Sequence, residues 1–524
     1  MKSAEEILGE EFASITDAIA AHAAERPKAA ALILGEEIMD YEALYSLMRR
    51  VAVSLQRDGL GPQSTLAICA QSSLNYAVVF LGAVMAGVAV APLVTTSTPA
   101  TLAMMIADAD AKLLFVDVEA RASLAGQRIS LPMVDLEPLR DSSEPAWLAS
   151  DGKALQAVQI LPEWTFNILY SSGTTGVPKG IVQSHALRWG VLRLQAGRGF
   201  GTSSVALAGT PLYSNITLML TLPTLARGGT VVLMDKFDAG TFLDLAQRTR
   251  ATHSALVPIQ YRRILDHPLF ETTDLSSFHS KSCAGAPCPP ELKSEIVRRW
   301  PGQLLEVYGM SEGGAVCMLS VAERPDKVHT VGKPLPGHEI FIVDDDGLPL
   351  PNGQSGEIVG RSNAMMAGYH RQPEKTLQAE WRSADGRRFI RTGDIGYLDE
   401  EGFLVLLDRK KDMIISGGFN IYSSDLEAAL RACSAVAEGA VVGVPSERWG
   451  ETPVGFVVLK EGYRVTGSAI RDEANGRLGR TQRLSEVIVV SELPRNQAGK
   501  VLKRELRELS KLDRQRSSAT RAAS

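Results

Sequence analysis

Apolar, β-branched runs recur along much of the chain, as in TLAICA (65–70), KLLFVDV (112–118), TVVLMD (230–235) and HSALVP (253–258). Between them lie segments with helical spacing of their apolar positions, such as TFLDLAQRTR (241–250) and PPELKSEIVRRW (289–300). Strands without polar alternation are buried on both faces, so this alternation predicts α/β layers built on largely parallel sheets. One run is longer: Ala77 to Val94, AVVFLGAVMAGVAVAPLV, has 18 residues and no charge. That is the lower edge of a membrane span. Gly82, Gly87 and Pro92 punctuate it, however, and β-branched residues crowd its second half. The pattern predicts a buried helix ending near Gly87 and running into an interior strand, with no membrane span.

From about residue 340 the texture changes to short strands and turns. EIFIVDDDGLPLPNGQSGEIVGR (339–361) predicts a hairpin around Asp346-Gly347 and a second turn near Asn352-Gly353. After FLVLL (403–407), the charged DRKKD (408–412) interrupts an apolar strand, and the chain resumes as MIISGGFNIYSSDLEAALRA (413–432). Ser424 with Glu427 three residues on has capping-box spacing, which places a helix N-terminus there. AVVGVP (440–445), GFVVLK (455–460) and SEVIVV (485–490), with helices between them, suffice for a small α+β domain. The expected organisation is a large N-terminal domain of α/β layers, residues 1–407, with a β-rich subdomain at about 335–407. A small mobile C-terminal α+β domain follows, residues 408–510, hinged at Asp408, and then a flexible tail, 511–524.

Composition narrows the function. The 524 residues suit about two to four domains, and 45% hydrophobic with 22% charged residues is ordinary globular usage. A net charge of −5 gives no basic field to gather nucleic acid or anionic lipid, so no nucleic-acid partner is expected. The cysteines, Cys69, Cys283, Cys288, Cys317 and Cys433, are odd in number and scattered, which suits a reducing cytoplasm. Cys283 and Cys288 are the only close pair, and without a second Cys or His cluster they make a weak zinc signal. The N-terminus MKSAEEILGEEFASI lacks the basic-then-apolar order of a signal peptide, and a cytoplasmic location follows as the expectation.

The chemically richest segment is LYSSGTTGVPKG, Leu169 to Gly180, directly after the apolar strand TFNILY. Its hydroxyls, free backbone N–H groups, glycines and single lysine suit phosphate oxygens. It is not a Walker A loop, because Lys179 is preceded by Pro178 and followed by Gly180. On composition alone it reads as a polar surface loop.

Its wording nevertheless resembles the phosphate-loop signature of the adenylate-forming (ANL) superfamily of acyl-CoA and aryl-CoA synthetases, carrier-loading adenylation domains and luciferases. YGMSEGG from Tyr308, RTGDIGYLDEEGF from Arg391, DRKKDMIISGGFNIY from Asp408 and PRNQAGK ending at Lys500 resemble further signatures of that family, in its order. The resemblance implies that Ser171, Ser172, Gly173, Thr174, Thr175, Gly176 and Lys179 follow the ATP phosphates. It also implies that Gly285, Ala286 and Pro287 line the nucleotide and acyl pockets, that Tyr308, with Gly309 and Ser311 beside it, lies against adenine, and that Glu312 helps hold Mg2+. Ser311 stands where the family usually has Thr, and keeps the hydroxyl. Asp394 would accept from the ribose hydroxyls, Arg409 would contact the nucleotide near ribose, and Asp408 would be the hinge. Lys500 would reach the reacting carboxylate and the α-phosphate, and the Gly417-Gly418 face would let a pantetheine arm pass. The implied catalytic residues are thus Lys500, Glu312 and Lys179.

The implied reaction joins a carboxylic acid to ATP as an acyl adenylate with loss of pyrophosphate, then passes the acyl group to a thiol with loss of AMP. Carrier-loading domains that choose α-amino acids keep an Asp in the segment aligned with Pro211 to Leu220. PLYSNITLML has none, and Ser214-Asn215 stand where related synthetases often have His or an aromatic residue. Tyr213, Asn215, Tyr261, Ala284, Gly309, Met310 and Cys317 are the candidate acyl-pocket residues, mostly small or apolar, which suits an aromatic, alicyclic or medium-chain acid. No carrier domain follows residue 510 and no Ser-Lys-Leu ends the chain, so coenzyme A is the expected acceptor. A carrier-protein phosphopantetheine is the alternative, and a homodimer is compatible. SSDLE and TQRLSEV depart from the family pattern on the thiol side.

Overall fold

In a computed structural model the described residues are 2–137, 147–170, 178–416, 419–479, 482–496 and 499–511. The uninterrupted apolar runs form the interiors of two sheets, as buried, β-branched strands do. The first sheet has seven strands in the order Gly368–Tyr369, Gly180–Ser184, Thr165–Tyr170, Ala89–Pro92, Thr65–Cys69, Leu113–Val116 and Met133–Asp135. Its strands from Thr165–Tyr170 onward are parallel, while Gly180–Ser184 and Gly368–Tyr369 each pair antiparallel with their neighbours. The second sheet has nine strands, with a parallel centre containing Val205–Ala208, His253–Leu256, Ser280–Cys283 and Gln303–Tyr308, and antiparallel edges. A shared core that includes Leu32, Phe80, Phe166, Leu222 and Val231 draws on strands of both sheets and on the helices beside them. The α/β class read from the sequence is the class of this structure.

The uncharged run Ala77–Val94 is a helix and a strand, Leu74–Met85 and Ala89–Pro92, with the left-handed turn at Gly87 between them. Every residue from Leu74 to Val84 is buried. Among the described residues no helix is long and apolar enough to cross a membrane. Gly82 lies where this helix meets the helix Tyr41–Arg57: a Cβ there would fall 2.6 Å from Val51 Cβ and 2.8 Å from the Met48 carbonyl oxygen. The glycine is a packing requirement within a helix.

The chain divides into two compact units, Met1–Ile340 with Gly360–Ile390, and Phe341–Val359 with Arg391–Ser524. In the second unit, Asp394–Leu398 pairs antiparallel with Leu404–Arg409. The turn expected at Asp346-Gly347 is closed by the Asp344 N–H donating to the Leu348 carbonyl and by a bridge between Val343 and Pro349. A further sheet has Phe419–Ile421, Ile414–Ser416, Gly450–Leu459 and Val436–Ser446 in that order, with Glu486–Val489 parallel to Gly450–Leu459. The helices Ser423–Arg431 and Gly467–Asn475 contribute Leu426, Leu430 and Ile470 to its core.

The capping box expected at Ser424 does not form. The helix begins at Ser423 and its N-cap, Tyr422, makes no side-chain capping bond. Ser424 Oγ donates to the Leu407 carbonyl, and Glu427 accepts from the Val441 N–H at 3.0 Å and pairs with Lys503 at 2.9 Å. The cap is supplied from outside the helix by Asp408, whose Oδ2 accepts from both Ser423 N and Ser423 Oγ at 2.6 Å. A carboxylate at a helix N-terminus satisfies orphan N–H groups and complements the dipole, and a remote carboxylate outcompetes the local serine.

Gly82→Ala gains helix propensity but drives a methyl into a backbone carbonyl that cannot rotate away. The expected net loss is about 1–2 kcal/mol, from overpacking less the propensity gain. Chemical unfolding of the purified variant measures it, and a variant as stable as the parent would contradict the close packing.

Candidate active site

The strand entering the phosphate-loop motif ends at Tyr170, and the next strand begins at Gly180. Ser171, Ser172, Gly173, Thr174, Thr175 and Gly176 lie outside the described residues. The two ends of the loop are tied to one carboxylate. Tyr170 donates its phenol O–H to Asp108 Oδ2 at 2.8 Å, and Gln372 Nε2 donates to Asp108 Oδ1 at 3.0 Å and to the Pro178 carbonyl at 3.3 Å. Gly180 sits in this clasp, where a Cβ would fall 2.7 Å from Ile168 Cγ2 and 3.0 Å from Asp108 Oδ2. Burial and the Asp108 carboxylate raise the Tyr170 phenol far above its ordinary range, so it stays a donor.

The strand Gly368–Tyr369 pairs antiparallel with Ile181 and Val182, and the His370 N–H donates to the Gly180 carbonyl at 2.6 Å. That pairing brings Tyr369 beside two expected catalytic residues. Its O–H donates to Glu312 Oε1 at 3.0 Å, and the Lys179 ammonium stands 5.2 Å from its ring centroid. Burial and the Glu312 carboxylate both raise the phenol, so it remains protonated and donating. Glu312 is half-buried. Gly313 and Gly314 follow it with φ of +81° and +85°, and a Cβ on Gly313 would lie 2.0 Å from the Ala364 carbonyl oxygen. Only glycine allows this turn to press so closely on residues 364–366. Met366 N–H donates to the Glu312 carbonyl at 2.8 Å, and Gln183 Nε2 donates to the Ser311 carbonyl at 2.7 Å. Tyr308 ends the strand Gln303–Tyr308 half-buried, and Gly309 is exposed. The half-buried Glu312 carboxylate offers the hard oxygen that suits Mg2+.

Beyond the interior strand Ser280–Cys283 of the nine-stranded sheet, Gly285 has φ of +84°, and a Cβ on it would lie 2.8 Å from Ile216 Cδ1. Ile216 follows Asn215, so the Ala284–Pro287 turn and the start of the helix Asn215–Ala226 are neighbours. Ala284, Ala286 and Met310 are half-buried, and Gly285 and Pro287 are exposed. Asn215 Oδ1 is buried without a hydrogen-bond partner. Tyr213 is buried, and burial pushes its phenol up to about 12. Tyr261 and Cys317 are fully buried. The Tyr261 O–H donates to the Ser282 carbonyl at 2.9 Å and its ring meets Trp300 edge-on, so this side chain is committed to the core.

Cys283, Cys288 and Glu306 do converge, with ligand atoms within 4.8 Å of one another. The cation there is Lys293, whose Nζ lies 3.5 Å from Glu306 and donates to the Thr330 carbonyl at 2.9 Å. Burial drives the Cys283 thiol well up and Glu306 up to about 7. The converging thiols and carboxylate thus share their pocket with the Lys293 side chain.

The second unit assembles the other expected residues. Asp394 and Arg409 are register partners across the antiparallel ladder, and Arg409 Nε meets Asp394 Oδ1 at 3.0 Å. Lys500 N–H donates to Asn496 Oδ1 at 2.9 Å, while Asn496 N–H donates to the Lys500 carbonyl at 3.0 Å. Burial, then repulsion by Arg409 and Lys411, lowers the Lys500 ammonium to about 8, against attraction from Asp394 and Asp412. Gly417 and Gly418 lie outside the described residues.

A model of the AMP-binding enzyme family matches residues 19–370, and one of the AMP-binding enzyme C-terminal domain matches 425–500. The chain belongs to the AMP-binding enzyme family. It is 31% identical over 488 residues to the feruloyl-CoA synthase of an Amycolatopsis species, covering 92% of this chain and 96% of that one. It is 32% identical over 497 residues to the indoleacetate–CoA ligase of Aromatoleum aromaticum, covering 93% and 96%. The solved structure of the amide bond synthetase McbA from Marinactinospora thermotolerans superposes with a TM-score of 0.83 at 29% identity, covering 94% of this chain and 99% of that one. Membership in the adenylate-forming superfamily, and with it the class of AMP-forming acyl-CoA synthetases, agrees with what the motifs implied.

Among the described residues of this AMP-binding enzyme, Tyr369, Gln183, Asp108 and Gln372 escaped the motif reading. Each lies outside the quoted signatures and touches one only through the fold. Tyr369→Phe removes the hydroxyl that donates to Glu312 while leaving the ring beneath Lys179. A hydrogen bond to a charged group contributes about 1.5–3 kcal/mol, so Tyr369→Phe is expected to weaken MgATP binding about 10-fold or more, with the KM for the acid little changed. Steady-state kinetics with each substrate varied in turn measures this, and a normal KM for MgATP would remove Tyr369 from the site.

Proposed function

We propose that this enzyme is an ATP-dependent carboxylic acid:CoA ligase acting on an aromatic acid. The observation that carries the reading is the grouping of Glu312, Tyr369 and Lys179 at the mouth of the phosphate-loop motif, a carboxylate and an ammonium held by one phenol. Support for the acid class comes from relatives named for ferulate and indoleacetate, and from the absence of an acidic residue in Pro211–Leu220. The acyl pocket is assigned to Tyr213, Asn215, Ala284, Gly309 and Met310. The unpartnered Asn215 Oδ1 suits an acid that carries a hydrogen-bond donor on its ring.

In the first half-reaction an oxygen of the substrate carboxylate forms a bond to the α-phosphorus of ATP, and the bond to the bridging oxygen breaks to release pyrophosphate. Both reactants are anionic, so the cations decide whether they meet. Lys179 and the hydroxyls and N–H groups of residues 171–176 are assigned to the β- and γ-phosphates, Lys500 to the carboxylate and α-phosphate, and Asp394 with Arg409 to the ribose. Glu312 would hold Mg2+, which supplies Lewis-acid neutralisation of phosphate charge when bound. In the second half-reaction the sulfur of CoA attacks the acyl carbon, its proton leaves, and AMP departs with the electrons of the acyl–oxygen bond. Residues 1–407 form the adenylating domain and 408–510 a domain that turns about Asp408, bringing Gly417-Gly418 to the thiol path.

The deciding experiment is ATP-dependent pyrophosphate release across hydroxycinnamates, benzoates, indoleacetate and C4–C12 acids, with and without CoA, with the thioester identified by mass. Acyl-CoA from aryl acids is expected. Acylation of a carrier phosphopantetheine with none on CoA would transfer the assignment to carrier loading, and aliphatic acids alone would overturn the aryl class.

Lys500 must be charged to hold two anions, and its ammonium is lost as pH rises through about 8. The kcat/KM for pyrophosphate release, which reports the free enzyme, is expected to be flat below that value and to fall above it. Lys500→Ala should lower it about 100- to 1000-fold, as loss of a group that stabilises transition-state charge does, while Lys500→Arg should retain part of the rate and lose the descending limb. A pH profile unchanged in Lys500→Arg would remove Lys500 from the chemistry.

A further inference from the structure

Behind the phosphate-loop strand lies a positive charge that the reaction does not use. Arg188, in the helix His185–Leu194, is 3% exposed, and no acid pairs with it among the described residues. Its Nε donates to Asn167 Oδ1 at 3.0 Å, and its guanidinium stands 5.8 Å from the centroid of Phe166. Burial lowers it only to about 9, so it is charged at neutral pH. Asn167 is fully buried on Thr165–Tyr170.

The hydrogen bond joins the amide oxygen to Nε, on the side of the guanidinium that also carries Nη2. A carboxylate at position 167 would accept from both nitrogens and neutralise the charge. An amide does neither. It accepts one bond and carries a donor of its own, and both Arg188 Nη2 and Asn167 Nδ2 are buried without a protein acceptor. A desolvated guanidinium with two adjacent unpaired donors is costly unless an acceptor of negative charge completes it. The aromatic face of Phe166 offers a partial compensation and no hydrogen bond.

We propose that Arg188 and Asn167 bind a small monovalent inorganic anion, chloride in solution, between Nη2 and Nδ2. Asn167 is the register partner of Gln183, whose Nε2 supports the Ser311 carbonyl beside Glu312. The anion thus completes a polar layer that runs from Arg188 through two adjacent strands to the loop carrying Glu312. Selectivity follows from size, because the donors come from a fully buried amide and a nearly buried guanidinium, which favours a spherical ion over a branched oxyanion.

The test compares thermal unfolding of the full chain in sodium chloride and sodium gluconate at equal ionic strength, and locates bromide by anomalous scattering in crystals grown in sodium bromide. The midpoint is expected to rise with the logarithm of chloride concentration above its Kd, as for a ligand bound by the native state alone, and bromide should sit in contact with Nη2 and Nδ2. Asn167→Asp, which supplies the carboxylate internally, should fold and lose the chloride response; Arg188→Met should lose it as well. Equal midpoints in the two salts, no bromide at the fork, or a chloride response that survives in Asn167→Asp would each overturn the proposal. If both variants fail to fold, the bromide map of the parent protein decides it.

Discussion

The nucleotide half of this site depends on one short antiparallel pairing, Gly368–Tyr369 against Ile181–Val182. The strand Gly180–Ser184 is the exit from the phosphate-loop motif, and Glu312 belongs to a loop of the other sheet. Nothing local holds these together. Pairing at the edge of the seven-stranded sheet delivers a phenol that bonds one and underlies the other. The backbone bond from His370 to Gly180, and the Gln372 and Tyr170 bonds to Asp108, then tie the two flanks of the motif together.

Buried charge is handled in different ways in the two units. Around Cys283 the chain places Lys293 against Glu306, and burial raises both the Cys283 thiol and the Glu306 carboxyl. Lys500 carries a depressed ammonium beside Arg409 and Lys411, a repulsive arrangement that favours an incoming anion. Asp408 is used differently again. As the cap of the helix Ser423–Arg431, it ties the expected hinge position to the first helix of the C-terminal fold, so rotation about residue 408 would be coupled to that helix.

Sequence alone determined the α/β layers, the helix and strand within the uncharged run, and the family, because burial on both faces forbids polar alternation and because phosphate and ribose chemistry demands particular side chains at short spacing. The roles proposed for Lys179, Glu312, Asp394 and Lys500 rest on that resemblance. What it could not determine is whatever depends on residues distant along the chain. The capping box at Ser424 had correct spacing, yet a carboxylate from a neighbouring strand took the helix terminus. Tyr261 had the composition of a pocket residue, yet its hydroxyl and ring are committed to Ser282 and Trp300. Tyr369, Asp108 and Arg188 belong to no motif at all. Their contacts arise where strand pairing, for Tyr369, and helix packing on the sheet, for Asp108 and Arg188, bring them within hydrogen-bond reach of groups tens of residues away, and such packing is decided by the burial of whole elements rather than by any local spacing.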